Sequence, residues 1–350
     1  MTNPLPTGAT IGILGGGQLG RMLSMAAARL GLKTHIFEPG ANPPAGDVAA
    51  FVTTADYTDL AALTAFRDSV DVVTYEFENI PAEALDVLTN VHPGRNALAV
   101  SQDRVTEKDF LSGLGLKVAP YATVDSLADL QAALETIGTP AILKTRRFGY
   151  DGKGQVRITD PAQASEAFAA LNGAPAVLEG FVNFTSEVSV IAARGADGAV
   201  VCYDPGENVH KDGILDTTTV PATLPASQQM DAVLLAGKIL NALEYVGVMG
   251  VELFVTPQGL IVNEIAPRVH NSGHWTQNGC LIDQFEQHIR AVAGWPLGDG
   301  QRHSDVVMTN LIGEDVIGIT SADAGVHLYG KADVKAGRKM GHVNRISPKT

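Results

Sequence analysis

Two cysteines in 350 residues, Cys202 and Cys280, are too few and too far apart for a disulfide framework or a cysteine-built metal cluster. They read as ordinary small buried residues of a protein from a reducing cytosol. Basic residues are short as well: 25 Lys and Arg stand against 38 Asp and Glu, a formal net charge of −13. Phosphate backbones need a basic face, so general nucleic-acid binding is excluded. Long apolar runs are missing too. The stretch from Ile11 to Leu32 is broken by glycines and by Arg21, and no basic region precedes it. Neither a spanning helix nor a signal peptide is indicated, no membrane role is expected, and the expected location is the cytoplasm. Internal repeats and low-complexity linkers are absent. What remains, 45% hydrophobic and 18% charged, is the composition of a globular enzyme with two or three domains.

The first hundred residues alternate strand and helix. Ala9 to Leu14 is a short apolar strand, Arg21 to Leu30 a helix, Lys33 to Phe37 a strand, Asp56 to Arg67 a helix and Val70 to Thr74 a strand. That order predicts the open parallel sheet of a doubly wound fold. Gly15, Gly17 and Gly20 have the G-x-G-x-x-G spacing, and Glu38 stands where a ribose-binding acid would stand. Such a turn cradles any phosphate at a helix N-terminus and also serves plain packing, so by itself it does not establish a dinucleotide.

After Ser101 the character changes. A helix from Asp103 to Leu114 leads to a strand at Ala141 to Lys144, a glycine-rich loop at Gly149-Tyr150-Asp151-Gly152-Lys153-Gly154-Gln155, and a strand at Val156 to Ile158. Three glycines in seven residues let backbone N–H groups approach anionic oxygens, while Lys153 and the strand-borne Lys144 supply charge. The Walker spacing is absent, so this is a lid over a triphosphate or a plain hairpin turn. Val177 to Val182 and Ser186 to Val190 are further strands. The segment Glu179-Gly180-Phe181-Val182 could offer backbone groups to an adenine edge, and Glu187 could accept ribose hydroxyls.

Val251 to Arg268 is the most informative stretch. Two apolar runs flank Pro257-Gln258-Gly259, read as a three-residue hairpin loop with Gly259 in the left-handed region. In that register Glu252 and Glu264 lie opposite one another on one face. Adjacent carboxylates repel unless something positive lies between them, and Mg²⁺, which shares one or two carboxylates with water and phosphate oxygens, fits that place. A solvated hairpin is the alternative. Near the C-terminus, Lys331, Lys335, Arg338, Lys339, Arg345 and Lys349 against Asp333 form a basic island, set among glycines and apolar residues that suggest ordered turns and strands.

Taken together, a strand lysine, a glycine loop, an acid-bearing connecting strand and a paired-carboxylate hairpin resemble the ATP-grasp superfamily of carboxylate-amine ligases. Within it, Gly15 to Gly20, Tyr75-Glu76-Phe77-Glu78-Asn79, Gly149 to Gln155, Asn263 to Arg268 and His270-Asn271-Ser272-Gly273-His274 are similar to the 5-(carboxyamino)imidazole ribonucleotide synthetase family of purine biosynthesis. The likeness covers nearly the whole chain, including Tyr329-Gly330-Lys331 and Gly337 to Gly341. It implies an α/β (α+β) architecture: a Rossmann-like pre-ATP-grasp domain over 1–100, an ATP-grasp domain over 101–300 with a lid lobe at 116–182 and a metal and ATP lobe at 183–300, and a β-rich module over 301–350. The implied reaction joins bicarbonate to the amine of 5-aminoimidazole ribonucleotide, with ATP cleaved to ADP and phosphate through carboxyphosphate.

The same resemblance assigns roles. Lys144 and Lys153 hold the triphosphate under the loop Gly149 to Gln155; Glu179, Gly180, Phe181 and Val182 line the adenine pocket; Glu187 takes the ribose; Arg104, His210 and Asn263 are further nucleotide contacts. Glu252 and Glu264 carry Mg²⁺, or Mn²⁺ in its place. Arg268, His270 and Asn271 cradle bicarbonate and carboxyphosphate. Gln18 at the helix N-terminus, with Lys331 and Arg338, binds the ribonucleotide 5′-phosphate, while Glu76 bonds its ribose or base. Tyr150, Asp151 and Lys331 serve the carboxylation, Asp151 by removing the amine proton. The family pattern also implies a homodimer. One departure stands out: an asparagine common two residues after the second metal acid is Ala266 here, which leaves a second Mg²⁺ one ligand short. Rival readings are another ATP-grasp ligase, a nicotinamide-dependent oxidoreductase built on Gly15 to Gly20, and a nucleotide-binding regulator without turnover.

Overall fold

Short apolar runs joined by helices build the first layer of the computed structural model, which describes residues 3–149, 152–319 and 322–350. Strands β1 (Thr10–Leu14), β2 (Lys33–Phe37), β3 (Phe51–Thr53) and β4 (Val72–Tyr75) form a parallel sheet in the order β3-β2-β1-β4. Helix α1 (Gln18–Arg29) follows β1 directly. Helix α2 (Leu60–Asp68) starts later than expected because Asp59 caps it, its carboxylate accepting the Ala62 N–H. Strand β3 and two short helices, α3 (Ala82–Val87) and α4 (Arg95–Ser101), were not foreseen.

Helix α5 (Arg104–Gly113), capped by Asp103, leads into a small lobe. Its antiparallel strands β5 (Tyr121–Val124), β6 (Ala141–Thr145), β7 (Gln155–Ile158) and β8 (Ala176–Gly180) are ordered β5-β8-β6-β7. Helices α6 (Leu127–Ile137) and α7 (Ala164–Ala170) close the lobe's own core of Leu130, Leu134, Leu143 and Leu178. The expected strand through Val182 ends at Gly180, so Phe181 and Val182 lie beyond it.

A nine-stranded sheet makes the rest. It comprises β9 (Ser186–Arg194), β10 (Val200–Cys202), β11 (Gly206–Lys211), β12 (Ile214–Val220), β13 (Gly247–Thr256), β14 (Gly259–Ala266), β15 (Ser304–Ile312), β16 (Gly325–Leu328) and β17 (Lys339–Pro348). Its order is β14-β13-β9-β11-β12-β15-β17-β16, with β10 beside β9. Strand β9 reads as a continuous apolar run because both of its faces are covered. Val188, Val190 and Ala192 pack with helix α8 (Ala226–Ala242). Ile191 and Ala193 join the core formed by α1 and helix α10 (Gln284–Val292), which follows the one-turn α9 (Thr276–Gly279). Arg29 of α1 pairs at 2.7 Å with Asp283, the residue that caps α10, tying the first domain to this core. The C-terminal strands belong to the same sheet, since β12 pairs with β15 from Thr217↔Thr309 to Val220↔Val306. No helix among the described residues is long and apolar enough to cross a membrane.

Candidate active site

The carboxylate hairpin has the expected facing pair, reached by another route. Strands β13 and β14 pair Glu252 with Glu264, but the turn has two residues, Pro257 and Gln258, with Thr256 pairing directly with Gly259. Gly259 has the positive φ of +111° as the first residue of β14 rather than as part of the loop. A two-residue turn alone would set Asn263 opposite Glu252. A bulge restores the register: Leu253 pairs with Val262 and Glu252 with Glu264, leaving Asn263 as the extra residue. Asn263, Glu264 and Glu252 consequently all line one cavity of about 880 Å³.

Four groups ring the two acids. Arg104 Nη1 lies 2.9 Å from Glu264 Oε2, and His270 Nε2 lies 3.4 Å from Glu252 Oε1. Glu187 and His210 form a further pair at 3.5 Å on the same cavity wall. Among the described residues no three His, Cys, Asp or Glu side chains converge as a metal cage. Two facing carboxylates with open space beside them suit a cation that completes its shell with water and phosphate oxygens, as Mg²⁺ does.

The small lobe brings Lys144, Gly149, Gly152, Lys153 and Gln155 to the cavity. Gly152 and Gly154 have φ of +74° and +71°, and a Cβ on Gly154 would come within 2.7 Å of Thr145 Oγ1, so both turns demand glycine. Tyr150 and Asp151 lie outside the described residues. Five expected nucleotide contacts, Gly154, Glu179, Gly180, Phe181 and Val182, are not in the cavity lining. Glu179 is buried beneath it, hydrogen-bonded to Lys144 and ion-paired with Lys108, and Phe181 lies under the Arg157 guanidinium at 4.6 Å. Apolar lining comes from Ile142, Phe184 and Phe254 among others, the last two rings stacked 4.7 Å apart. These were missed, although period two could have found two of them: Ile142 precedes Lys144 by two residues and Phe254 follows Glu252 by two.

Beyond β14 the chain turns under the acids. Glu78 grips the Arg268 guanidinium with two bonds, 2.7 Å from Nε and 3.2 Å from Nη2. Gln284 fixes the loop by accepting the His270 N–H and donating to the His270 carbonyl. Both amide atoms of Asn271 are buried without partners at the cavity wall, the kind of unmet pair that an oxyanion with an attached hydroxyl would satisfy. Ser272, Gly273 and His274 are structural: His274 is buried against Phe285, Tyr329 and His342.

Gln18 and Glu76 line the same cavity, as do Lys331, Arg338 and two further lysines, Lys335 and Lys339. One expectation needs correction here. The N–H groups of Gly17 and Gly20 at the start of α1, expected to hold the 5′-phosphate, are taken by the Glu76 carboxylate. Glu38 takes the Gly16 N–H at 2.8 Å, and a Cβ on Gly16 would lie 2.5 Å from Pro43. Carboxylates and a proline thus fill the place where a dinucleotide pyrophosphate would sit, which removes the nicotinamide reading. Lys331 Nζ donates to the Lys339 carbonyl at 2.6 Å, and Arg338 Nη1 to that of Asp333 at 3.0 Å.

Comparison with known proteins agrees with this layout. Residues 8–102 match the ribonucleotide synthetase preATP-grasp domain, 109–285 the ATP-grasp domain, and 306–350 the phosphoribosylaminoimidazole carboxylase C-terminal domain. An N5-carboxyaminoimidazole ribonucleotide synthase of Brucella melitensis is 56% identical over 99% of this chain and 98% of its own. The chain belongs to the N5-carboxyaminoimidazole ribonucleotide synthase family. A solved synthetase of the family in complex with ADP shares 41% identity at a TM-score of 0.96, covering 99% of this chain and 94% of that one. A synthase from Aspergillus clavatus, in complex with ADP and the aminoimidazole ribonucleotide, shares 30% at a TM-score of 0.90, covering 98% and 94%.

Family membership gives the site's electrostatics a context. Burial and then Glu264 push the Glu252 carboxyl up, whereas Arg104, acting against burial, holds Glu264 well below the usual carboxylate range. Burial and then Glu264 also push Glu107 up to about 8, so at neutral pH it holds a proton while its Oε1 accepts the Ile265 N–H at 2.6 Å. Burial and then Arg268 take His270 down to about 3, leaving the ring neutral. Its Nδ1 contacts the Ser272 hydroxyl at 2.8 Å.

Proposed function

We infer that this chain carboxylates the amine of 5-aminoimidazole ribonucleotide with bicarbonate at the expense of ATP, giving the N5-carboxy ribonucleotide, ADP and phosphate in purine biosynthesis. One observation carries the reading: a single cavity joins the facing pair Glu252 and Glu264 to the unpartnered Asn271 amide, the clamped Arg268 and the basic residues of the C-terminal module.

Bicarbonate lacks a leaving group, so a bicarbonate oxygen first attacks the γ-phosphorus and ADP departs. The amine nitrogen of the ribonucleotide then attacks the carboxyphosphate carbon, the C–O bond to phosphate breaks, and the amine loses a proton. Arg268 and the Asn271 amide hold the bicarbonate oxygens, and neutral His270, its Nε2 facing Glu252, stands beside them without adding charge. Lys144, Lys153 and Arg104 hold the triphosphate; Ile142, Phe184 and Phe254 form the base pocket; Glu187 and His210 flank the ribose. Glu252 and Glu264, with Asn263 beside them, would hold Mg²⁺, which when bound offsets charge on the transferring phosphate. Gln18, Lys331 and Arg338 take the 5′-phosphate, Glu76 faces the ribose, and Asp151 and Tyr150 serve the amine. Closing the loop over this chemistry keeps water from carboxyphosphate. A homodimer working in the cytoplasm completes the reading.

The test is ADP release measured with and without aminoimidazole ribonucleotide and bicarbonate. Release that needs both supports the reading; release driven by formate or by another amine acceptor points to a different ATP-grasp ligase. Arg338→Ala should raise the KM for the ribonucleotide roughly tenfold while leaving that for ATP nearly unchanged, with Arg338→Lys recovering only part of the loss.

A further inference from the structure

Helix α5 carries a lysine that the reaction does not explain. Lys108 is 1% exposed, does not line the cavity, and puts its Nζ 3.1 Å from Glu179 Oε1. The other oxygen of the same carboxylate, Glu179 Oε2, is 3.0 Å from Lys144 Nζ. Glu179 is itself 5% exposed and Lys144 12%. A single carboxylate therefore stands between two ammonium groups, one fully enclosed and one at the cavity wall.

Burying an ammonium is costly, and an apolar chain of similar length is often at least as stable in its place. Shape alone gives no reason for a charge at position 108. The charge matters through Glu179. A lysine on a flexible four-carbon stem needs an acceptor to fix its ammonium, and Glu179 is that acceptor for Lys144. Yet a carboxylate paired with Lys144 alone would cancel the charge that a polyphosphate must meet. With Lys108 on the opposite oxygen, the three groups sum to one net positive charge, and Lys144 spends one of its three N–H donors on Glu179.

We propose that Lys108 is a positioning residue: by sharing Glu179 with Lys144 it lets that carboxylate orient the Lys144 ammonium without neutralising it toward the ATP phosphates. The inference rests on the reading that Lys144 binds those phosphates. Helical spacing sets the arrangement, because Arg104 and Lys108, four apart on α5, face Glu264 and Glu179. One helix face thereby registers the metal hairpin and the small lobe against each other.

A double-mutant cycle in the full-length enzyme tests it. Lys108→Met should raise the KM for ATP about tenfold and leave that for the ribonucleotide within about twofold, because Glu179 is then paired with Lys144 alone. Adding Glu179→Gln to Lys108→Met should bring the ATP KM back to within about threefold of wild type, even where both variants melt below wild type. A purely structural strut behaves otherwise: the double variant would be as impaired as the single or more so, and that result overturns the proposal. If Lys108→Met does not fold, the double variant decides alone, a tenfold rise in its ATP KM being the overturning result. Lys144→Met is the control. If it leaves the ATP KM unchanged, Lys144 is not the phosphate contact, and the underlying reading fails separately from the cycle.

Discussion

Glu252 and Glu264 are direct cross-strand partners in unlike company. Glu264 is held ionised by Arg104, whereas burial and its neighbour's charge push Glu252 toward its protonated form. Two such acids share one positive charge more readily than they share none, so a cation between them relieves the repulsion. Glu264→Gln should fold but lose roughly a hundredfold or more in kcat, since it removes charge needed when the γ-phosphoryl group transfers. An Mg²⁺ titration of turnover checks this, and near-normal rates at limiting metal would take the hairpin out of the site. At this scale the sequence was most legible where chemistry fixes residue type: the acids, the loop glycines, Arg268 and Asn271. It was least legible where a side chain works on another side chain. Glu179, expected at the adenine pocket, pairs with two lysines, and Glu76 engages backbone N–H groups of the helix N-terminus that was expected to take a phosphate. Such partnerships need coordinates, because Glu76 and Gly17 are 59 residues apart.

Elements were legible where the periodicity was clean. Lys33 to Phe37 came out with its observed bounds, and Asp103 marked the start of α5 because a cap residue there accepts the Val105 N–H. The hairpin was right in its consequence and wrong in its turn. A bulge at Asn263 supplies the extra residue that was placed in the loop, and a composition-level reading cannot tell one insertion point from the other. Strand β3, only three residues long and largely exposed, carries too little pattern to be seen. The loop from Gly149 to Gln155 yields a prediction of its own. Lys153 is exposed, and its glycine neighbours hold little structure by themselves, so trypsin should cut after it readily in the free protein and several times more slowly with ATP and Mg²⁺. Equal cutting in both conditions would mark the loop as static.

For the whole molecule, charge is sorted by place. A chain of net charge −13 gathers Lys331, Lys335, Arg338 and Lys339 in the lining of its cavity, so anions are drawn to the site rather than to the surface at large. Histidines are sorted as well. His270 and His288 are held down to about 3, chiefly by burial, and His274 and His342 well below their ordinary value for the same reason. His288 is locked as the neutral ring: its Nδ1 accepts the Val248 N–H and its Nε2 faces the Thr74 hydroxyl at 2.7 Å. Their folded-state values lie below the unfolded value near 6.5, so above that pH both states are neutral and the full stability is present. As pH falls from about 6.5 toward 3, the unfolded chain takes up protons that the folded chain refuses, at a cost of up to about 1.4 kcal/mol per pH unit for each histidine. Thermal melting points should therefore drop clearly between pH 7 and pH 5, and His288→Gln should show a shallower acid slope while starting less stable at pH 7. Glu107 and Glu252, whose carboxyls burial pushes up, act in the opposite sense, so the difference in slope decides: an acid slope of His288→Gln equal to that of the wild type would contradict the assignment of this ring as neutral.

The continuity of the large sheet sets a distance. From β14, which carries Glu264, to β17, which begins at Lys339, the ladder takes six steps. Laid flat at about 4.8 Å per step, these strands would stand roughly 29 Å apart, too far to serve one cavity. Glu264 and Lys339 nevertheless line the same cavity, so the sheet must curl on itself, as accumulated strand twist of about 20–25° per step allows. The spacing between the carboxylate hairpin and the start of β17 is thus a property of backbone curvature, summed over many strand pairs. No single side-chain replacement resets that spacing, because it belongs to the coil of the whole sheet rather than to any one pair of residues.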